Sequence, residues 1–141
     1  QALVYVAAQM LGGLVAWRVN EYLLDQALPN LAAAGWDWRI AVAEIIGTLI
    51  FTFGIAAAVY HGYEGMRLAS TIGTALFVGV IVASFASTGV LNPAVAVGVR
   101  SWNVSYVVGP IVGAVLGMNL YSWLFAVNPV VAKKTVARKK K

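Results

Sequence analysis

Thr88-Gly89-Val90-Leu91-Asn92-Pro93-Ala94-Val95-Ala96-Val97-Gly98-Val99-Arg100 lies between two long apolar segments, and its reading decides the fold. Pro has no backbone N–H and suits the first turn of a helix, and Asn is among the favoured capping residues. The run therefore predicts a loop, an Asn92 cap and a short apolar helix ending at Gly98 and Arg100. Such a helix is too short to cross a bilayer, so it dips in and stops. Irregular backbone at that depth is tolerated only where it is buried in protein or lines a wet cavity. The segment points to a pore.

Of the 141 residues, 61% are hydrophobic and 11% charged. That is far from an ordinary soluble domain and leaves room for four spanning helices of about 20 residues each. Cysteine is absent, which excludes disulfides, thiolate catalysis and cysteine-bound metal. The net charge of +5 resides in the tail, at Lys133, Lys134, Arg138, Lys139, Lys140 and Lys141, and the remainder is slightly acidic. After a long apolar segment, this tail reads as a cytoplasmic flank beside anionic lipid rather than as a nucleic-acid arm. The sequence runs from Gln1 straight into an apolar segment without a basic n-region or cleavage site. No signal peptide is expected, and a start inside a membrane helix suggests that an upstream portion is missing.

The expected class is an all-α membrane protein with four spanning helices plus one re-entrant half-helix. Spans are expected at 2–24, 40–60, 68–86 and 106–127, with 88–100 re-entrant between the last two. Residues 1–127 then form a partial transmembrane domain, and 128–141 form the tail, with Asn128-Pro129 ending the last helix. With a cytoplasmic tail, the re-entrant loop and the polar stretch 25–38 face outside, while His61 and Arg67 lie inside. Each span carries small residues at four-residue spacing: Ala8, Gly12 and Ala16; Gly54, Ala58 and Gly62; Ala75, Gly79, Ala83 and Ser87; Gly109, Gly113 and Gly117. Stripes of this kind let helix backbones approach closely in lipid.

An internal repeat is visible as well. Residues 5–15, beginning Tyr5-Val6 and holding Gly12, align with 106–116, beginning Tyr106-Val107 and holding Gly113. If the first and fourth spans are equivalent, the first (1–24) closes one copy and 39–127 makes up the next. Three spans per copy, an odd number, require inverted topology, a known transporter architecture.

At these residues the chain resembles the aquaporin and glycerol-facilitator (major intrinsic protein) family. The resemblance covers nearly the whole chain, as the C-terminal part of a member beginning at its third helix. It rests on Asn92-Pro93-Ala94, on Ala43-Glu44-Ile45-Ile46-Gly47-Thr48, on Tyr106-Val107-Val108-Gly109-Pro110 with Gly113, and on Tyr5 to Gly13 with Gln9. It implies an inverted-repeat bundle, a passive channel for water or small neutral solutes such as glycerol, and homotetramers in the cell membrane. It also implies that Glu44 braces the re-entrant loop by accepting its backbone N–H groups. Two departures stand out. The family's first half, with its own Asn-Pro-Ala loop, is not in this chain, and Val95 stands where the family commonly has Arg. Counted from Asn92, the other selectivity-filter positions of this half fall at Val80 and Gly89. The outer constriction thereby looks wider and less polar.

Asn92 has two roles open to it, a helix cap and a pore-lining amide that donates to a passing hydroxyl. The half-helix begins at Pro93 and directs its partial positive charge toward the bilayer centre, which opposes cations but not neutral solutes. Glu44, a carboxylate within an apolar span, is a functional candidate by default: a structural acceptor or, in a proton-coupled transporter, a relay. A non-conducting membrane module is a further alternative. His61, the only histidine, reads as a surface residue, and Arg100 either neighbours the half-helix's end or reaches the pore mouth. Asn103-Val104-Ser105 matches a glycosylation acceptor. No motif for hydrolysis, phosphate binding or metal binding is present, so neither an enzyme nor a cofactor is expected.

Overall fold

The computed structural model describes residues 2–31 and 35–125. Among these the chain forms five helices and no strand: α1 (Ala2–Leu24), α2 (Trp38–Tyr60), α3 (Gly65–Ala83), α4 (Pro93–Gly98) and α5 (Ser105–Phe125). At about 1.5 Å per residue, the 23 residues of α1 and of α2 extend about 34 Å, against an apolar bilayer core of about 30 Å. The four long helices are all long and apolar enough to cross a membrane. By the same rise α4, with six residues, extends only about 9 Å. The basic tail and Asn128-Pro129 lie outside the described residues.

Local chemistry sets the helix ends. The Asp37 carboxylate accepts from the backbone N–H of Arg39 at 2.7 Å and of Ile40 at 3.3 Å, so α2 starts at Trp38, two residues before the hydrophobic run suggests. It stops where Gly62 turns into the left-handed region (φ 59°) and Tyr63 N–H reaches back to the Ala58 carbonyl. The third span lies three residues upstream of the expected 68–86, at Gly65–Ala83. Gly65, at φ 53°, opens it, and at the far end the Ser84 hydroxyl donates to the Val80 carbonyl at 2.7 Å as the chain leaves the helix. Asn103 caps α5, its Oδ1 accepting from Ser105 N–H at 2.8 Å and Tyr106 N–H at 3.3 Å.

α2 is the centre of the bundle, packed on α3 on one side and α5 on the other, whereas α1 meets the other helices only through α4. Small residues make these seams. A Cβ added at Gly113 of α5 would lie 2.5 Å from the Ile45 carbonyl of α2, and one added at Gly79 of α3 would lie 2.5 Å from that of Gly47. The α2 side of the α3 seam runs through Gly47 and, from the expected stripe, Gly54, whereas a Cβ added at Gly62 would meet nothing within 4 Å. Close backbone contact is how apolar helices gain dispersion energy where lipid offers no hydrophobic drive.

Overpacking such a seam costs about 1–3 kcal/mol or more. Gly113→Val should therefore lower the thermal midpoint of the purified protein in detergent, followed by size-exclusion chromatography of heated samples. An unchanged midpoint would contradict the α2–α5 seam.

Candidate functional site

Residues 84–92 lead from the end of α3 to the start of α4. The N–H groups of residues 84–87 still donate to carbonyls of the last turn of α3, but from Thr88 onward that ladder ends and buried N–H groups need side-chain acceptors. The structure supplies one for each of four consecutive residues. Thr88 N–H donates to the Tyr106 hydroxyl at 2.9 Å and Gly89 N–H to the Ser87 hydroxyl at 2.9 Å. Val90 N–H donates to Glu44 Oε1 at 3.2 Å and Leu91 N–H to Glu44 Oε2 at 2.8 Å. The Ser87 hydroxyl also donates to Glu44 Oε1, at 2.6 Å. Glu44 is fully buried on α2, and the absence of a side chain at Gly109 of α5 makes room for it, since a Cβ there would lie 2.8 Å from the Glu44 Cβ.

The loop delivers Asn92 as the cap of α4: its Oδ1 accepts from Ala94 N–H at 2.9 Å, with Pro93 in the first turn. Ala94 is buried, and its carbonyl lies against Gly13, where any Cβ would collide with it. Gly13 is the central residue of α1, so the amino end of α4 sits at the midpoint of a spanning helix. Between α1 and α4 opens a cleft of about 400 Å³ whose lining includes Gln9, Asn20, Asn92 and Val95. A neighbouring one of about 370 Å³ is lined by Asn92 and Pro93 together with Trp102 and Ile111.

Of the three residues expected at the constriction, two adjoin each other and the third faces the α1–α4 cleft. Val95 is exposed on the α1–α4 cleft with Asn92. Gly89 instead adjoins Val80, in the left-handed region (φ 61°), where a Cβ would lie 2.9 Å from the Val80 carbonyl and 2.5 Å from the Ser84 hydroxyl. Neither Val80 nor Gly89 lines that cleft.

Arg100 ends α4 in a way the sequence concealed. Ser101 N–H bonds the Ala96 carbonyl and Arg100 N–H that of Val97, a Schellman closure with Arg100, not a glycine, in the left-handed position (φ 58°). Its guanidinium turns to α1: Nη1 lies 3.9 Å from Glu21 Oε1 and donates to the Leu28 carbonyl, and the guanidinium carbon is 4.9 Å from the Trp17 ring centre. His61 is exposed, with Nε2 2.9 Å from the Tyr121 hydroxyl and its ring stacked on Tyr63. Asn103 is only 7% exposed, with its oxygen engaged as the α5 cap, so its amide is not presented for glycosylation in this conformation. Tyr106, Ser87, Glu21 and Trp17 are the site residues that sequence reasoning left without a role. Tyr106 lies inside a recognisable motif, while Glu21 and Trp17 become significant only once α1 meets α4.

Four long apolar helices, with a half-helix between the third and the last, define an integral, multi-pass membrane protein. The chain belongs to the major intrinsic protein family: the family profile described as Major intrinsic protein matches residues 1–121. Among curated proteins it is similar to Aquaporin A of Dictyostelium discoideum, 32% identical over 139 residues, which cover 87% of this chain and 50% of that protein. It is also similar to Aquaporin NIP1-1 of Zea mays, 31% identical over 136 residues covering 88% and 48%. The chain spans about half the length of these curated relatives. No solved structure matches it significantly.

Glu44→Ala would leave two buried N–H groups without acceptors, at about 1–3 kcal/mol each. Its thermal midpoint should drop clearly, and that of Glu44→Gln, which keeps one acceptor oxygen, should drop less. Equal midpoints for all three proteins would refute the brace.

Proposed function

We propose that this chain contributes one wall of a passive transmembrane channel for water and small neutral solutes such as glycerol, with the Asn92-Pro93-Ala94 turn lining the path. The observation that carries this reading is the placement of Asn92 at the amino end of a half-helix level with the middle of α1, facing a cleft. Its side-chain oxygen caps the helix, which leaves the NH₂ group to donate to a passing hydroxyl. The field of the half-helix opposes protons and other cations and leaves neutral solutes alone. Both oxygens of Glu44 accept from loop groups, which favours bracing over proton coupling.

The complementary wall is the other copy of an inverted repeat. On α5, Gly109 and Gly113 pack on the backbone of α2. The equivalent positions on α1, Ala8 and Gly12, are exposed, and a Cβ added at Gly12 would meet nothing within 4 Å. A helix equivalent to α2 belongs there, so α1 closes one repeat and residues 39–127 form the other. The names of the two aquaporin relatives agree with this reading. The assembly we propose is a homotetramer in the cell membrane, one pore per subunit, with the basic tail in the cytoplasm.

Val80, Gly89 and Val95 form this half's share of the outer constriction, and with Val95 in place of Arg it admits solutes larger than water. In proteoliposomes of the complete protein, stopped-flow light scattering should show water and glycerol permeabilities above those of empty vesicles. Val95→Arg should cut glycerol permeability at least about tenfold, equivalent to about 1.4 kcal/mol of barrier, and spare water. Unchanged glycerol flux would refute the filter assignment; wild-type vesicles no more permeable than empty ones would refute the channel.

A further inference from the structure

The seam between α1 and α4 lacks interlocking side chains at its middle. Gly13 faces the Ala94 carbonyl, and a Cβ added at Gly98 would lie 3.3 Å from the Gly13 carbonyl. Two smooth backbones in contact leave rotation and sliding of a six-residue helix weakly determined. No residue of α1 is fully buried, so burial along the helix adds little to fix that register.

Specific contacts gather at the outer end of the seam. The Arg100 guanidinium is held by Glu21, by the Leu28 carbonyl and by the face of Trp17, while Leu31 N–H donates to the Arg100 carbonyl at 2.9 Å. Glu21 is itself tied into the turn after α1, its Oε1 accepting from Leu28 N–H at 3.1 Å. Arg100 holds a left-handed backbone conformation that glycine would adopt without strain. A side chain kept at that position has work to do beyond ending the helix. Among the described residues, the partners of its side chain lie on α1 and the segment that follows it.

From this we infer that Arg100 is a positioning residue: with Glu21 and Trp17 it latches the carboxyl end of α4 to α1 and so sets how Val95 faces the cleft. The latch also pairs the cation closest in sequence to the half-helix with a carboxylate, so Arg100 does not stand in for the arginine that Val95 replaces. The consequence for permeation rests on the channel reading above; the positioning itself does not.

The direct readout is the external modification rate of a Val95→Cys thiol by a charged methanethiosulfonate, in the complete protein reconstituted in liposomes. This chain contributes no other cysteine, and any outside it is replaced by serine. Arg100→Gly relieves the backbone yet removes the latch, and Glu21→Gln keeps the shape and removes the charge. Each should change the rate at least about threefold, in the range expected for a coupled positioning residue. The exchanged pair Glu21→Arg with Arg100→Glu should return it toward the parent value. An unchanged rate in both single variants, or an exchanged pair as altered as the singles, would overturn the latch. Glycerol and water fluxes in the same vesicles judge the other reading separately. A Val95→Cys parent no leakier than empty vesicles sinks the channel while the thiol rates still decide the latch.

Discussion

A backbone that leaves its helix inside a membrane exposes N–H groups that lipid cannot satisfy, and each one left bare costs on the order of kilocalories. Everything in this bundle is arranged around meeting that requirement for residues 88–91. Two of the four N–H groups go to the carboxylate of Glu44, one to the hydroxyl of Tyr106 and one to that of Ser87. α2 carries Glu44, α5 carries Tyr106 and gives up a side chain at Gly109 to admit the carboxylate, and α3 leads into the loop just before Ser87. The tight α2–α3 and α2–α5 seams are thus the means by which three spanning helices converge on one short irregular segment.

With the loop fixed, the half-helix has a defined start and an undefined partner. Asn92 and Pro93 begin it, and Ala94 leans on the bare backbone of Gly13 halfway along α1. The cleft that results is mostly apolar, with a few amide side chains facing it, the composition a path for small neutral molecules requires. α1 adds little packing beyond this contact. Its exposed Ala8 and Gly12 repeat the register with which α5 grips α2, and that symmetry joins the fold to the function proposed here.

Much of this was legible in the sequence, for identifiable reasons. Spanning helices announce themselves by apolar length, and Asn92-Pro93 reports both the cap and the first turn of α4, because both signals are local. The limits of α3 were displaced by three residues because Gly65 and Ser84 override a hydropathy profile that runs on past them. Partner choice was harder to see. The stripe Ala8, Gly12 and Ala16 on α1 stays exposed, and the glycine whose backbone lies against α4 is its neighbour Gly13, a matter of helix rotation that spacing alone leaves open. The Arg100–Glu21 contact requires residues 79 positions apart to meet through the turn after α1, and no local pattern encodes that. Val80, Gly89 and Val95 follow from motif spacing, but that Val95 faces the α1–α4 cleft while Gly89 packs against Val80 follows only from the three-dimensional course of the loop.

In the channel proposed above, Glu44 holds the amino end of α4 at mid-membrane depth. An electron cryo-microscopy map of the complete protein in a lipid nanodisc tests it most directly. The Glu44 carboxylate should lie within hydrogen-bonding distance of the Val90 and Leu91 nitrogens, and Asn92 near the centre of the lipid band. Residues 88–100 resolved along the bilayer surface, or as part of one continuous span, would contradict it.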